Sequence, residues 1–185
     1  MNSPFAAAIM AGGRSKRFGT DKAFHQINGT PLWRHQIHKI EQLMPSEIII
    51  SANDKQHFDT THKVIIDTKP NSGPLEALID CLNSTKIERV LILAVDMPEM
   101  PISFLGELVY SGCGSVPIHE NGMSEPLAAV YPKEIIQLAK NQCLSGSLSM
   151  QKLVKKAITE GLLKARKITE PEIEFFANMN YPPEI

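Results

Sequence analysis

The chain has 185 residues, 43% of them hydrophobic, which suits one core of ordinary size and is too little for two independent domains. A formal net charge of −1 excludes a generally basic surface, so no nucleic-acid partner is expected. Three widely spaced cysteines, Cys81, Cys113 and Cys143, lack metal-ligand spacing and read as buried or free thiols of a reducing compartment. The opening "MNSPFAAAIMAGG" is too short to span a bilayer and has no basic flank. A cytoplasmic protein with no membrane partner is expected.

Phe5–Ala11 is a continuous apolar run ending at Gly12-Gly13, the pattern of a strand buried on both faces. Pro31 opens a helix over 31–44, where Leu32, Ile37, Ile40, Leu43 and Met44 recur at helical spacing. Strands are predicted over 47–53 and 63–67, and a short helix over 74–82 after the turn "NSGP". Residues 89–96, "RVLILAVD", are the clearest buried strand. Ser103 is expected to cap the helix "FLGELVYSG", with Gly112 as its stop. "GSVPIHENG" and "PLAAVY" read as strands around a loop, followed by helices over 133–143 and 147–160, the second capped by Ser145 or Ser147. A short strand near 162–168 and the segment "FFANMNYPPEI" end the chain. Strands alternating with helices imply a three-layer α/β/α fold with a mostly parallel, Rossmann-like sheet.

Ligands of such sheets sit beyond the carboxyl ends of the strands, and three polar clusters fall there. The first is the loop "GGRSKRFGTDK", in which Arg14, Lys16, Arg17 and Lys22 crowd into nine residues beside only Asp21. Its glycines admit close approach of a ligand and its cations suit an anion. Neither familiar phosphate motif is present: the position five beyond Gly13 is Phe18, and Gly12 and Gly13 are adjacent. A P-loop hydrolase and a dinucleotide-binding oxidoreductase are therefore unsupported, and the competing reading is a solvated basic loop. Asp96, the second cluster, ends a run of seven residues of which six are apolar. A carboxylate there is costly unless solvated, paired or bound to a cation, and Mg2+ shared with phosphate oxygens is one such arrangement. A helix cap or an ion pair is the other reading. Asp67, the third, can accept two hydrogen bonds side by side, which matches the N1–H and amino edge of guanine. His35 and His38 lie three apart on the 31–44 helix with no third ligand, which reads as surface or capping roles.

The order of these features resembles one family. "MAGGRSKRFGTDKAF" is similar to the L-A-G-G-x-S-x-R-M-G-x-D-K signature of the molybdenum cofactor nucleotidyltransferases, within the nucleotide-diphospho-sugar transferase superfamily. The resemblance continues through "NGTPLW", "SAN", "VIID", "GPLEAL", "AVDMP", "NGMSEPLAAVY" and "FANMNYPPE", and so covers nearly the whole chain as one domain over 1–185. "GPLEAL" and the chain's ending point to the guanylyltransferase branch, MobA-like in type. The resemblance implies that Met10, Ala11, Gly12 and Gly13 hold the nucleotide through backbone groups and that Lys22 meets its phosphates. It implies further that Asp67 reads guanine, that Asp96 binds magnesium, and that Asn178 and Asn180 lie on the pterin side. Ser51 stands where the branch often carries the first asparagine of N-A-N, and Asn53 matches the second.

The implied reaction is GMP transfer from GTP to the terminal phosphate of molybdopterin, with release of pyrophosphate. It brings two anions together; a pair of unit charges at 4 Å repels by about 4 kcal/mol at an effective dielectric of 20. Neutralisation by Arg17, Lys22 and one Mg2+ at Asp96 answers that need without a protein nucleophile. Transfer from CTP, transfer to a sugar or alcohol phosphate, and a non-catalytic nucleotide or cofactor carrier stay open. So does a transient handover of cofactor from other biosynthetic or acceptor enzymes.

Overall fold

A computed structural model describes residues 3–12, 21–68 and 73–179. The first apolar run forms β1 (Ala6–Met10), buried at every position. Ala7 and Ile9 join the core on one face of the sheet, and Ala6, Ala8 and Met10 join the core on the other. Two buried faces explain why the run shows no polar alternation.

In chain order β1 is followed by β2 (Gln26–Ile27), β3 (Thr30–Pro31), α1 (Leu32–Glu41), β4 (Glu47–Ala52), β5 (Lys63–Ile66) and α2 (Pro74–Ser84). Then come β6 (Arg89–Ala94), α3 (Ile102–Tyr110), β7 (Ser115–Ile118), β8 (Ala128–Pro132), α4 (Ile135–Leu144), α5 (Met150–Thr159) and β9 (Lys164–Lys167). One seven-stranded sheet runs β5-β4-β1-β6-β8-β7-β9. β1 pairs in parallel with β4 and β6, β4 with β5, and β7 with β9. Only β8 is reversed, antiparallel to both β6 and β7.

α1 and α3 cover one face through Leu32, Trp33, Ile37, Ile40, Phe104 and Leu105. α2, α4 and α5 cover the other through Leu75, Leu78, Leu82, Leu138 and Leu153. The expected three-layer, mostly parallel architecture is thus observed. The chain leaves β1 toward β4 and β5, then returns to place β6 on the opposite side of β1. The carboxyl ends of β1 and β6 therefore flank a topological switch point, where the fold leaves a crevice.

Several element ends differ from the expectation. α1 stops at Glu41, and Met44, expected on its apolar stripe, is 81% exposed. α3 begins at Ile102 with Pro101 at its N-cap, so Ser103 lies inside the first turn and does not cap it. Proline's fixed φ starts that helix earlier than a serine signal would. α5 is capped by Ser149, whose Oγ accepts the Lys152 N–H at 3.3 Å, in place of Ser145 or Ser147. Gly146, at φ 80°, ends α4, and the chain needs the next residues to turn before a helix can restart. Asn28-Gly29 builds the β2–β3 hairpin with φ of 50° and 77°, a turn its dipeptide signals.

Gly114 precedes β7 where the backbone is crowded. A Cβ there would lie 2.7 Å from the Leu162 carbonyl oxygen and 2.7 Å from Pro132 Cδ. Gly114→Ala is expected to cost about 1–3 kcal/mol through overpacking. Chemical denaturation checks this; an unchanged midpoint would show that the β7 end can move aside.

Candidate nucleotide-binding site

At the carboxyl edge β1 ends in Met10, in register with Ser51 on one side and Ala94 on the other. The Ala11 and Gly12 N–H groups both donate to the Ser51 carbonyl at 2.9 Å, and the Met10 carbonyl accepts from Val95 N–H at 3.2 Å. These backbone groups hold the strand ends together. What Gly12 offers beyond them is space: a Cβ on it would lie 2.8 Å from Asp67 Oδ2. The first and third polar clusters therefore lie side by side, with no room between them for a side chain on Gly12.

Asp67 follows β5 and its N–H donates to the Ala52 carbonyl at 2.9 Å. The Ser51 hydroxyl donates to its Oδ1 at 2.8 Å. Burial pushes the Asp67 carboxyl above the usual carboxylate range; the Ser51 bond draws it back, and the charge of Asp80 adds to the rise. Beneath this corner Cys81 is fully buried, 3.8 Å from the Met10 sulfur, and burial pushes its thiol up to about 12. It is an inert packing thiol.

On the β6 side, Asp96 Oδ2 meets the Lys22 ammonium at 2.9 Å, with side chains 24% and 15% exposed. Lys22 opens a 3-10 turn, Lys22–Phe24, capped by the Asp21 carboxylate, which accepts the Ala23 N–H at 3.0 Å. The two residues are 74 positions apart in sequence, and the β1–β6 pairing brings them together. The ion-pair reading of Asp96 describes this structure.

The turn carrying Asp96 is supported by α1. Gln36 Nε2 donates to the Met97 carbonyl at 2.9 Å, with longer bonds to Val95 and Ala94 at 3.3 and 3.4 Å. Lys39, one helical turn on, donates to the Pro98 carbonyl at 2.7 Å, and burial lowers its ammonium to about 8 against the raising charge of Glu99. Sequence reading missed both residues. Gln36 had a signal, as a polar side chain on the stripe of Trp33, Ile37 and Ile40.

Asn53 shapes the turn after β4: its side chain accepts the Lys55 N–H at 3.0 Å and its N–H donates to Gln56 Oε1 at 2.9 Å. His35 Nε2 donates to the Ile27 carbonyl at 2.8 Å, which anchors the β2–β3 hairpin as a capping role would. Asn178 is exposed, and beside it the Met179 N–H donates to the Asp96 carbonyl at 2.9 Å. The C-terminal segment therefore reaches the second cluster through its backbone. Across the same edge His119 and Glu125 pair at 2.7 Å, with the His119 ring edge-on to Phe176. Gly13, Arg17 and Asn180 lie outside the described residues.

A lysine–carboxylate pair thus lies at the switch point of a mostly parallel sheet, and a second carboxylate lies beside Gly12, just beyond β1. Residues 7–161 match the family model of the MobA-like NTP transferase domain, and the chain belongs to that family. A probable molybdenum cofactor guanylyltransferase of Opitutus terrae is 29% identical over 98% of this chain and 93% of its own length. A molybdenum cofactor guanylyltransferase of Pseudomonas putida is 27% identical, with 86% of each chain covered. Among solved structures, molybdopterin-guanine dinucleotide biosynthesis protein A from Archaeoglobus fulgidus superposes with a TM-score of 0.71 at 20% identity, covering 96% of this chain and 93% of that one. A nucleotidyl transferase from Methanothermobacter reaches 0.75 at 16% identity over 96% and 92%. These two likenesses show the same fold.

Proposed function

We propose that this protein transfers GMP from GTP to the terminal phosphate of molybdopterin, with release of pyrophosphate and formation of a guanine dinucleotide cofactor. The observation that carries the reading is the meeting of Gly12 with Asp67 and of Lys22 with Asp96 on one sheet edge. The guanine edge would lie against Asp67, the phosphates would run past Gly12 and Gly13 toward Lys22 and Arg17, and the acceptor would enter from the side of Asn178 and Asn180. Met10, Ala11, Ser51 and Asn53 frame the base side of that path. A phosphate oxygen of the acceptor attacks the α-phosphorus while the bond from that phosphorus to the β-bridging oxygen breaks. Protein groups balance charge and alignment, and none forms a covalent intermediate.

Asp96 is the residue that would hold Mg2+. Among the described residues no group of three or more histidine, cysteine, aspartate or glutamate side chains could hold a metal. A lone carboxylate suits magnesium that takes its other ligands from phosphates and water. When bound, the ion neutralises charge on the phosphates. Lys22 would exchange Asp96 for a phosphate oxygen as the nucleotide arrives, which would leave the Asp96 carboxylate available to hold the ion.

The reading includes a cytoplasmic site of action, supported by three cysteines that form no disulfide. Among the described residues no helix is long and apolar enough to cross a membrane. The test is pyrophosphate release from GTP, CTP and ATP by purified protein with Mg2+ and molybdopterin. Release with GTP and formation of the dinucleotide are expected. Turnover with CTP alone would overturn the role of Asp67 as a guanine reader. Tight GTP binding with no turnover on any phosphorylated acceptor would favour the carrier.

A further inference from the structure

We infer that Gln56 is a positioning residue that ties together the two ends of the glycine-rich basic loop and thereby sets Lys22 against Asp96. Gln56 lies in the turn after β4 and is 7% exposed. Its Nε2 donates to the Ala11 carbonyl at 2.9 Å and to the Asp21 carboxylate, at 2.9 Å to Oδ2 and 3.1 Å to Oδ1. Its Oε1 accepts the Asn53 N–H at 2.9 Å. Two amide hydrogens and one carbonyl are thus all engaged, and the acceptors around Nε2 fix the orientation of the amide.

Ala11 is the last residue before Gly12-Gly13, and Asp21 is the residue before Lys22. The stretch between them carries Arg14, Lys16 and Arg17. One buried side chain therefore holds the point where the loop leaves β1 and the point where it returns. The returning end has a second anchor: Phe24 of the 3-10 turn stacks on Phe58 at 5.1 Å, and Phe58 meets Trp33 of α1 edge-on at 5.4 Å. Because Asp21 also caps the turn that begins with Lys22, moving Asp21 moves the ammonium that faces Asp96. Glutamate cannot replace Gln56 here. Its carboxylate would face a carbonyl and another carboxylate with no hydrogen to give either.

The inference rests on the proposed nucleotide site and deepens it. It is tested by titrating a fluorescent triphosphate analogue, with Mg2+, into wild type, Gln56→Ala, Gln56→Glu and the double variant Gln56→Glu/Asp21→Asn. Each is measured below its own melting temperature. Loss of a buried donor to two acceptors is expected to weaken binding by Gln56→Ala roughly tenfold. Gln56→Glu should weaken it further, by placing two carboxylates within 3.1 Å of one another. The double variant restores a donor between positions 56 and 21 and should recover part of the affinity lost by Gln56→Glu, with the Ala11 carbonyl still facing an oxygen. A uniform fall in stability would not produce that pattern in folded protein.

Unchanged affinity in folded Gln56→Ala would overturn the inference. So would a double variant that binds no better than Gln56→Glu. The titrations use whichever of the GTP, CTP and ATP analogues the wild type binds best. A preference for cytosine would then remove the guanine reading while the comparison among variants still decides the role of Gln56.

Discussion

Asp96→Ala is expected to lower turnover roughly a hundred- to a thousandfold, the scale seen when one preorganised electrostatic partner of a reacting group is removed. Its side chain packs no core: it meets Lys22 at the surface of the crevice, while its backbone carbonyl takes the Met179 N–H. The substitution leaves that backbone bond in place, so the fold should survive with a small change in melting temperature. Asp96→Asn separates charge from shape, because the amide oxygen can still accept from Lys22 while the negative charge is gone. Both variants should lose turnover to a similar extent, and both should need more Mg2+ to reach half of their residual rate. Steady-state kinetics across a magnesium series checks this. Near-wild-type turnover in either variant would remove Asp96 from the centre of the reaction.

Asp67→Asn should act on base choice and on stability in opposite directions. An ionised carboxylate offers two acceptors to the N1–H and amino group of guanine, whereas an amide offers one acceptor and a competing donor. Charge-assisted bonds of this kind contribute about 1.5–3 kcal/mol, so kcat/KM for GTP relative to ATP should fall roughly ten- to hundredfold. The stability effect follows from the upward shift of the carboxyl. A group whose folded-state value is raised contributes stability that is complete below its ordinary value, 3.8, and is lost as pH rises through the shifted value. Ionising the half-buried Asp67 therefore costs the wild type stability as pH rises through that shifted value. Asparagine carries no charge to bury and can still accept from Ser51. Asp67→Asn is therefore expected to gain stability relative to wild type as pH rises from about 3.8 toward neutrality. Denaturation midpoints at acid and neutral pH test the sign, and a variant less stable by the same amount at both would contradict it.

The sheet and its layers were legible because β1 and β6 are buried on both faces and their apolar runs carry no other meaning. Asp96 was legible as a carboxylate that stops such a run, and Asp67 as one that follows the exposed strand β5. Their neighbours were not. Gln56 meets a carbonyl 45 residues earlier, and only the parallel register of β1 with β4 makes that meeting possible. The placing of Gly12 beside Asp67 depends in the same way on β4 lying between β1 and β5. Local rules erred at the caps of α3 and α5, where Pro101 and Gly146 decided the boundary over the nearest serine. The Asn28-Gly29 hairpin had a clear local signal, and its two-residue strands are too short to show any periodicity.

Strand order also bears on how the polypeptide assembles as it leaves the ribosome. β1, β4, β5 and β6, which carry Lys22, Asp67 and Asp96 at or beyond their ends, lie wholly within the first 96 residues. β8, β7 and β9 extend the sheet from β6 with the later half of the chain. Because chains emerge amino end first, a nascent chain can pair these four strands before the reversed strand β8 exists. Residue 179 emerges later and adds a backbone bond to Asp96, so that wall of the crevice forms after the strands beside it.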